Sequence, residues 1–276
     1  MFDIMSGNML ILGIIFAVVF GLLLASFLNV CIDRLPVGQS LVSPPSHCSS
    51  CGRRLTAMDL VPVLSFMRLR GRCRYCGVAL PRRLLWVELG TGILFGYLYW
   101  HYGLGLELGL AVVYSSVLLV LSVIDLDHQL ILNVIVYPTT LMALVVSIFL
   151  SPSSFLAASG KEVAFTTHFP QAGIAQAAIG AGFGLILFAV IIVLSRGGMG
   201  WGDAKMAALV GAVTGYLVPL AIFLSVVIGG VLAIALLALK IRKRKEGIPF
   251  GPFLAIGAML TILWGNTIAG WYLGRF

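Results

Sequence analysis

The chain has 276 residues, of which 60% are hydrophobic and only 10% carry a charge. Soluble globular domains do not have this balance, so the composition predicts a polytopic membrane protein with the lipid bilayer as its main partner. The net charge of +8 does not indicate a nucleic-acid partner, because the basic residues lie in loops between apolar stretches, as the positive-inside rule requires.

Apolar stretches long enough to cross a membrane recur along the whole chain. The first is interpreted as a retained span with its N-terminus outside, because no basic residue precedes it as in a cleaved signal peptide. Eight stretches approach the roughly 20 residues that a bilayer requires, namely 9–32, 84–101, 107–124, 131–150, 172–195, 204–218, 219–240 and 250–273. Only a predicted turn at residues 216–219 divides the sixth from the seventh, and one long kinked helix is the alternative.

The distribution of lysine and arginine supports this count. Residues 33–83 hold nine arginines and residues 240–246 hold five basic residues, whereas segments 102–106 and 151–171 hold one lysine between them. Eight spans with the N-terminus outside place both basic segments on the cytoplasmic side, while seven would misplace the second. We therefore predict an all-α polytopic membrane protein of about eight transmembrane helices with a small cytosolic loop domain.

Four of the five cysteines form two C-x-x-C pairs in that loop, Cys48 with Cys51 and Cys73 with Cys76. Thiols in the cytosol stay reduced, so a disulfide framework is not expected. The loop has little apolar periodicity and cannot bury much of a core, so a zinc ion held by four thiolates would supply the missing constraint. Such a closed site would be structural. Reduced thiols without a metal are the alternative.

Two aspartates stand where loops meet apolar stretches. Asp125 ends the stretch 108–124, and Asp203 follows a glycine-rich loop. Two carboxylates in one site cannot easily both ionise, so one could deprotonate a water while the other protonates a carbonyl oxygen and a leaving amine. The alternative is that each caps a helix or reaches to the interface. Asp127 leaves another face of its helix and is expected at most to support the site.

Small residues accompany the second aspartate. Gly200 and Gly202 are expected to let the backbone approach a substrate closely, as are Gly197 and Gly198 before them. Lys205 could hold a carboxylate or phosphate, or mark the cytoplasmic boundary, and the second interpretation is favoured. Upstream, Gly180 and Gly184 have the small-xxx-small spacing that lets two helices pack closely.

The combined pattern resembles the bacterial type IV prepilin peptidases, which are intramembrane Gly-x-Gly-Asp aspartic proteases. The motifs that carry the resemblance are Gly200-x-Gly202-Asp203-x-Lys205, Ile124-Asp125-x-Asp127, SFLNVCIDRLP at 26–36, the double C-x-x-C loop, and IPFGPFLAIG at 248–257. They cover nearly the whole chain in family order. One departure follows HQLI, where members often have Pro-Asp and this chain has Leu132 and Asn133.

The resemblance implies cleavage of the leader of prepilins and pseudopilins at the cytoplasmic face of the bacterial cytoplasmic (inner) membrane. Asp125 and Asp203 would be the catalytic pair. Many members then N-methylate the new N-terminus with S-adenosylmethionine, and their products enter pilus or type II secretion assembly machinery. Peptidase activity without methylation is the alternative within the family.

No Gly-x-Gly cofactor signature lies between a strand and a helix, so methyl-donor binding rests on the resemblance alone. Asn29, Arg34 and Glu88 are weak candidates, as polar groups near the ends of spans. Glu88 needs a partner inside the protein, and Arg83 or Arg34 could serve. Simple interhelical pairing would explain these residues equally well.

The predicted domains are a first helix at 1–33, the cytosolic tetracysteine domain at 34–83, and a membrane-embedded peptidase domain at 84–276. The N-methylation region would combine the loop with the helices on either side of it. Two other classes of protein remain as alternatives. A proton-coupled transporter would also hold intramembrane carboxylates, but its site would lie near the midplane between repeats. A zinc-bearing assembly scaffold would leave the aspartates unexplained.

Overall fold

The computed structural model describes residues 2–157, 172–195, 199–239 and 249–273, with side chains from residue 7 onward. Within these ranges the regular structure is helical. The helices are α1 Phe2–Arg34, α2 Leu64–Arg68, α3 Arg82–Tyr102, α4 Leu106–His128, α5 Asn133–Phe149, α6 Pro152–Ala157, α7 Gly173–Leu194, α8 Trp201–Thr214, α9 Val218–Ala238 and α10 Gly251–Leu273. The basic segment 240–246, Gly197, Gly198 and most of 151–171 lie outside the described residues.

Five stretches among the described residues are long and apolar enough to cross a membrane, namely Gly7–Val37, Leu106–His128, Gly173–Leu194, Trp201–Ala238 and Gly251–Tyr272. The chain is therefore a multi-pass membrane protein. α5 is apolar but shorter, and α3 carries three charged residues in its first two turns. The count of eight spans stays a prediction.

The stretch Trp201–Ala238 contains a break close to the turn predicted at 216–219, whereas its division into a sixth and a seventh span stays a prediction. α8 ends at Thr214, a 3-10 turn covers Gly215–Leu217, and α9 begins at Val218. Gly215 has φ +55, and a Cβ there would lie 2.9 Å from a side-chain carbon of Pro152. Both the backbone conformation and the lack of space require glycine at this position.

The chain divides into two compact units, Met1–Ser116 and Val117–Phe276. In the first unit α1 and α3 pack along their length. Glycines make this possible: a Cβ at Gly96 would lie 2.6 Å from a methyl of Val18, and one at Gly92 would lie 2.8 Å from a methyl of Leu22. Small residues at the seam let two helices approach, so dispersion contacts between them are strong.

In the second unit α7 packs on α8 and α9 packs on α10, while α5 lies against α7 and α8. A Cβ at Gly180 would come within 2.2 Å of the Gly211 carbonyl oxygen, and one at Gly184 within 2.3 Å of the Ala207 carbonyl oxygen. The packing role expected for Gly180 and Gly184 is confirmed. Because these backbones touch, α7 holds α8 in one position, and α8 carries Asp203 in its first turn.

Candidate active site and metal centre

Asp125 lies in the last turn of α4 and is only 5% exposed. Its Oδ2 accepts a hydrogen bond of 2.9 Å from the backbone N–H of Gly251, the first residue of α10. The first amides of a helix have no partner within the helix, and its N-terminus favours negative charge. The start of α10 therefore provides Asp125 with a donor fixed in the backbone.

Asp203 lies in the first turn of α8, close to a second helix N-terminus. Its backbone N–H donates to the Gly200 carbonyl oxygen at 3.1 Å, and its side chain is partly buried. The carboxylate of Asp203 is close enough to Asp125 for their like charges to repel. The structure thus brings together the two aspartates that the sequence singled out. Like charges that interact in one site are harder to ionise together.

Asp127 differs from Asp125 as predicted. Its side chain is exposed, whereas that of Asp125 is buried two residues earlier on the same helix. α4 ends directly afterwards, because Gln129 has φ +54 and donates its N–H back to the Asp125 carbonyl oxygen at 2.9 Å. The chain therefore turns away immediately after the aspartate.

Lys205 joins α8 to α5. Its Nζ donates to Asn133 Oδ1 at 2.9 Å and lies 5.5 Å from the centre of the Tyr137 ring. Neither the carboxylate nor the phosphate partner considered from the sequence is needed to explain it. Asn133 is one of the two positions at which this chain departs from the Pro-Asp pattern of the prepilin peptidases. The residue that binds Lys205 is therefore one that differs from that pattern.

Gly202 packs closely against the chain that follows α4. A Cβ at Gly202 would lie 2.9 Å from the Ile131 Cβ, whereas one at Gly200 would meet Asp203 Oδ2 only at 3.8 Å. The expected approach of the Gly202 backbone to a substrate stays a prediction. Gly200 has space around it and remains a candidate for close approach of the backbone to a substrate.

The four cysteines of the two C-x-x-C pairs converge, with all four Sγ atoms within 4.8 Å of one another. Cys48 Sγ and Cys76 Sγ are 3.8 Å apart. Zinc bound by thiolates at about 2.3 Å in a tetrahedron would separate sulfurs by about 3.8 Å, so the donor set fits a structural zinc ion. Sequence reasoning predicted this cluster from the spacing alone.

Both C-x-x-C pairs have the same backbone geometry. The N–H of Cys48 donates to the Arg53 carbonyl at 3.0 Å, and the N–H of Cys73 donates to the Val78 carbonyl at 2.8 Å. In each pair the glycine after the second cysteine has a positive φ, +67 at Gly52 and +72 at Gly77. This conformation closes each turn so that its two sulfurs point the same way.

The neighbouring sulfurs and backbone amides shift the pKa values of the thiols in opposite directions. Backbone N–H groups of Cys51 and Ser50 point at Cys48 and lower the pKa of its thiol to about 6. At Cys76 the Val78 N–H lowers the pKa, but desolvation and the three neighbouring sulfurs outweigh it and raise the pKa to about 11. A bound zinc dication would offset the negative charge of four neighbouring thiolates, which repel one another without a cation.

An ion pair beside the cluster ties the loop together. Asp59 accepts from the Thr56 hydroxyl at 2.7 Å and pairs with Arg74 at 2.8 Å, and its side chain is 3% exposed. The Thr56 hydroxyl, the Thr56 N–H and the charge of Arg74 lower the pKa of Asp59 despite its burial. Arg53 stacks on the Tyr75 ring at 5.3 Å. These arginines therefore support the loop through partners other than the sulfurs.

The three weak candidates for cofactor binding do not share a common site. Arg34 donates to the carbonyls of Ser40 and Pro44 at 2.8 Å and 2.7 Å, so it holds the loop after α1. Asn29 Nδ2 donates to the Leu84 carbonyl at 3.3 Å, and its buried Oδ1 has no donor among the described residues.

Glu88 binds a backbone amide and a hydroxyl, and neither of the two arginines considered as its partner pairs with it. It accepts the backbone N–H of Val63 at 2.7 Å and the Ser26 hydroxyl at 3.4 Å, while Arg83 pairs with Asp33. A loop amide thus takes the place of the predicted cation. Val63 itself has φ +61, a strained conformation for a β-branched residue, so nothing in the local sequence indicated this bond.

Comparisons with known proteins agree with this architecture. The family model described as Bacterial Peptidase A24 N-terminal domain matches residues 19–102, and that described as Type IV leader peptidase family matches residues 112–234. No solved structure matches the chain.

Proteins named prepilin leader peptidase/N-methyltransferase are similar over almost the whole chain. The protein of Pseudomonas aeruginosa is 33% identical, over 93% of this chain and 92% of its own length. That of Stutzerimonas stutzeri is 34% identical over 93% and 92%, and that of Bacillus subtilis is 36% identical over 92% and 96%. The two family models and these relatives together cover more than nine tenths of the chain, and the chain belongs to the type IV leader peptidase family.

Proposed function

We propose that the chain is a prepilin leader peptidase/N-methyltransferase in which Asp125 and Asp203 carry the proteolysis. The observation that supports this most directly is the buried Asp125 held by the first amide of α10, with the Asp203 carboxylate close enough to feel its charge. Named relatives of near-equal length share this function. Membership of this family leaves no reason to invoke a transporter or a scaffold.

Asp125 is the proposed general base. A carboxylate that accepts an N–H bond is favoured in its charged form, and the donor at Gly251 lies at 2.9 Å from Oδ2. Asp203 then holds the shared proton. Asp125 removes a proton from a water that attacks the scissile carbonyl, while Asp203 protonates the carbonyl oxygen. As the tetrahedral intermediate collapses, the proton on Asp125 passes to the leaving amine and Asp203 recovers its own.

Support for this site comes from α5, α7 and the loops. Lys205 links α8 to α5 through Asn133, and Gly202 seats α8 against Ile131. Asp127 is assigned a supporting part only, since its side chain is exposed on another face. We place the site at the cytoplasmic face of the inner membrane, where the basic loops put both aspartates. The products would enter pilus or type II secretion assembly.

The tetracysteine cluster is proposed to bind one structural zinc ion through Cys48, Cys51, Cys73 and Cys76. Their spacing in the structure fits a closed four-sulfur site, which leaves no position for a substrate. Zinc would therefore affect activity only indirectly, by keeping the tetracysteine loop ordered.

N-methylation is proposed from the names of the relatives, with S-adenosylmethionine as the methyl donor. Asn29 is the residue that best fits a ligand, because its buried Oδ1 has no donor among the described residues. Glu88 lies across the same helix seam, joined to α1 through Ser26. S-adenosylmethionine would supply the methyl group, and Asn29 Oδ1 would accept a hydrogen bond from an N–H or O–H group of S-adenosylmethionine.

Cleavage and methylation are separable by experiment. The protein in membrane vesicles would be given a prepilin with its leader, and separately a pre-cleaved pilin with labelled S-adenosylmethionine. Asp203→Asn should stop the first reaction and spare the second, whereas Asn29→Ala should do the reverse. Full cleavage by Asp203→Asn would overturn the assignment of the peptidase site. Loss of methylation in Asp203→Asn would indicate that cleavage and methylation use one common site.

A further inference from the structure

One segment of the cytosolic loop has an unusual surface. Within ten residues, five large apolar side chains are exposed, namely Met58 (64%), Leu60 (41%), Val61 (39%), Leu64 (65%) and Met67 (67%). The segment 57–70, called the apolar segment below, ends in the exposed arginines Arg68 and Arg70. A concentration of exposed apolar side chains of this kind marks an interaction surface.

The apolar segment is fastened to the membrane helices well inside their ends. Val63 N–H donates to Glu88 of α3 at 2.7 Å, and the Leu60 carbonyl accepts from Ser26 of α1 at 3.4 Å. At a rise of 1.5 Å per residue, Ser26 lies about 12 Å from the end of α1 at Arg34, and Glu88 about 9 Å from the start of α3. The loop therefore folds back alongside the two helices.

An exposed tryptophan lies beside this attachment. Trp86, two residues before Glu88 on α3, is 69% exposed, and exposed tryptophans are typical of the level where lipid headgroups meet the hydrocarbon. Glu88 and the amide that it binds lie half a turn further in. The strained φ of Val63 shows that the attachment is imposed by tertiary structure.

We infer that the apolar segment lies in the leaflet next to the tetracysteine loop, with its apolar side chains among lipid acyl chains. Charge complementarity selects lipid as the occupant: Arg68 and Arg70 follow the last apolar residues and would meet anionic headgroups, as in interfacial helices. The short helix α2 would then be an interfacial anchor for the loop. This inference is independent of the proposed peptidase activity.

A photocrosslinking experiment tests the inference on the full-length protein. p-Azidophenylalanine would replace Leu64 or Met67, with Val78 as the matched control, because Val78 is also exposed (38%) but lies in the second C-x-x-C turn. The variants would be reconstituted without substrate in vesicles of phosphatidylcholine and phosphatidylglycerol carrying an alkyne-tagged acyl chain. A single symmetric peak in detergent gel filtration, as for the unsubstituted protein, would confirm that each variant is folded.

The expected result is several-fold more lipid adduct at positions 64 and 67 than at position 78. The adduct should decrease when phosphatidylglycerol is omitted, or in Arg68→Gln and Arg70→Gln. Adduct levels equal to those at position 78 would overturn the inference. So would crosslinks that form only to an added prepilin peptide, because that outcome identifies the apolar segment as a substrate surface. If the amount of adduct did not depend on lipid charge, the proposed contact of Arg68 and Arg70 with anionic headgroups would be overturned.

Discussion

The bond between Gly251 and Asp125 allows a sharp test of the proposed division of labour. In Gly251→Ala the new Cβ would lie 2.6 Å from Asp125 Oδ2 and 3.1 Å from its Cγ. Relief to an ordinary contact of about 3.5 Å needs a shift of about 0.9 Å. The carboxylate must therefore move away from the amide that now donates to it at 2.9 Å.

Two estimates of the effect agree. A reacting group displaced by about 1 Å loses about 100-fold in rate. A hydrogen bond to a charged group contributes about 1.5–3 kcal/mol, which corresponds to roughly 10- to 150-fold. We expect kcat for prepilin cleavage to fall by about 10- to 100-fold with KM little changed, because no substrate contact is removed.

The pH dependence separates this effect from general damage. Losing the amide makes the charged form of Asp125 harder to maintain, so the acidic limb of the kcat profile should move to higher pH. Two variants in the same helix serve as controls. Gly270→Ala enters open space and should leave activity intact, while Gly257→Ala would meet Ser225 Oγ at 2.1 Å and should reduce folded protein without moving the pH profile. Wild-type kcat and an unchanged profile in Gly251→Ala would refute the reasoning.

Three further predictions concern the rest of the site and the loop. Asp125→Asn and Asp203→Asn should each abolish cleavage in a leader-cleavage assay, and the double variant should be no less active than either single variant. Asp127→Asn should have a much milder effect. Additive losses in the double variant would argue against one pair that shares a proton. Elemental analysis should find about one zinc per chain, and less in a serine variant of any of the four cysteines; protein prepared without chelators and free of zinc would exclude the metal. Because the pKa of Asp59 is lowered in the fold, its stabilisation is present above its unfolded pKa and lost as the pH falls through its folded value. Thr56→Val should therefore raise the pH at which the loop becomes protease-sensitive, and an unchanged acid transition would contradict this assignment.

Sequence reasoning succeeded where a single local pattern carried the information. The tetracysteine cluster followed from two short spacings, the break near residues 216–219 from a weak point in an apolar run, and the different surroundings of Asp125 and Asp127 from their places on different helix faces. In each case the chemistry or geometry of neighbouring residues permits few alternatives.

Contacts between distant backbone groups could not be predicted in this way. The amide of Gly251 and the carboxylate of Asp125 are 126 residues apart, and any residue except proline has an N–H to offer. Glu88 likewise binds a main-chain amide, at Val63, whereas side-chain charges suggested an arginine. The number of spans also remained open, because charged residues at the start of α3 and the shortness of α5 lower their membrane signal.

The length of α8 has a consequence for how water reaches the site. Its 14 residues extend only about 21 Å, less than the roughly 30 Å of hydrocarbon in a bilayer. If the Asp203 end meets the aqueous boundary, the turn at Gly215 must lie within the membrane. Thr214 and Gly215 are buried, as non-helical backbone at such a depth must be. In that arrangement the helix would be open to water at one end and closed by protein at the other, so the proposed hydrolysis would need no continuous aqueous path across the membrane.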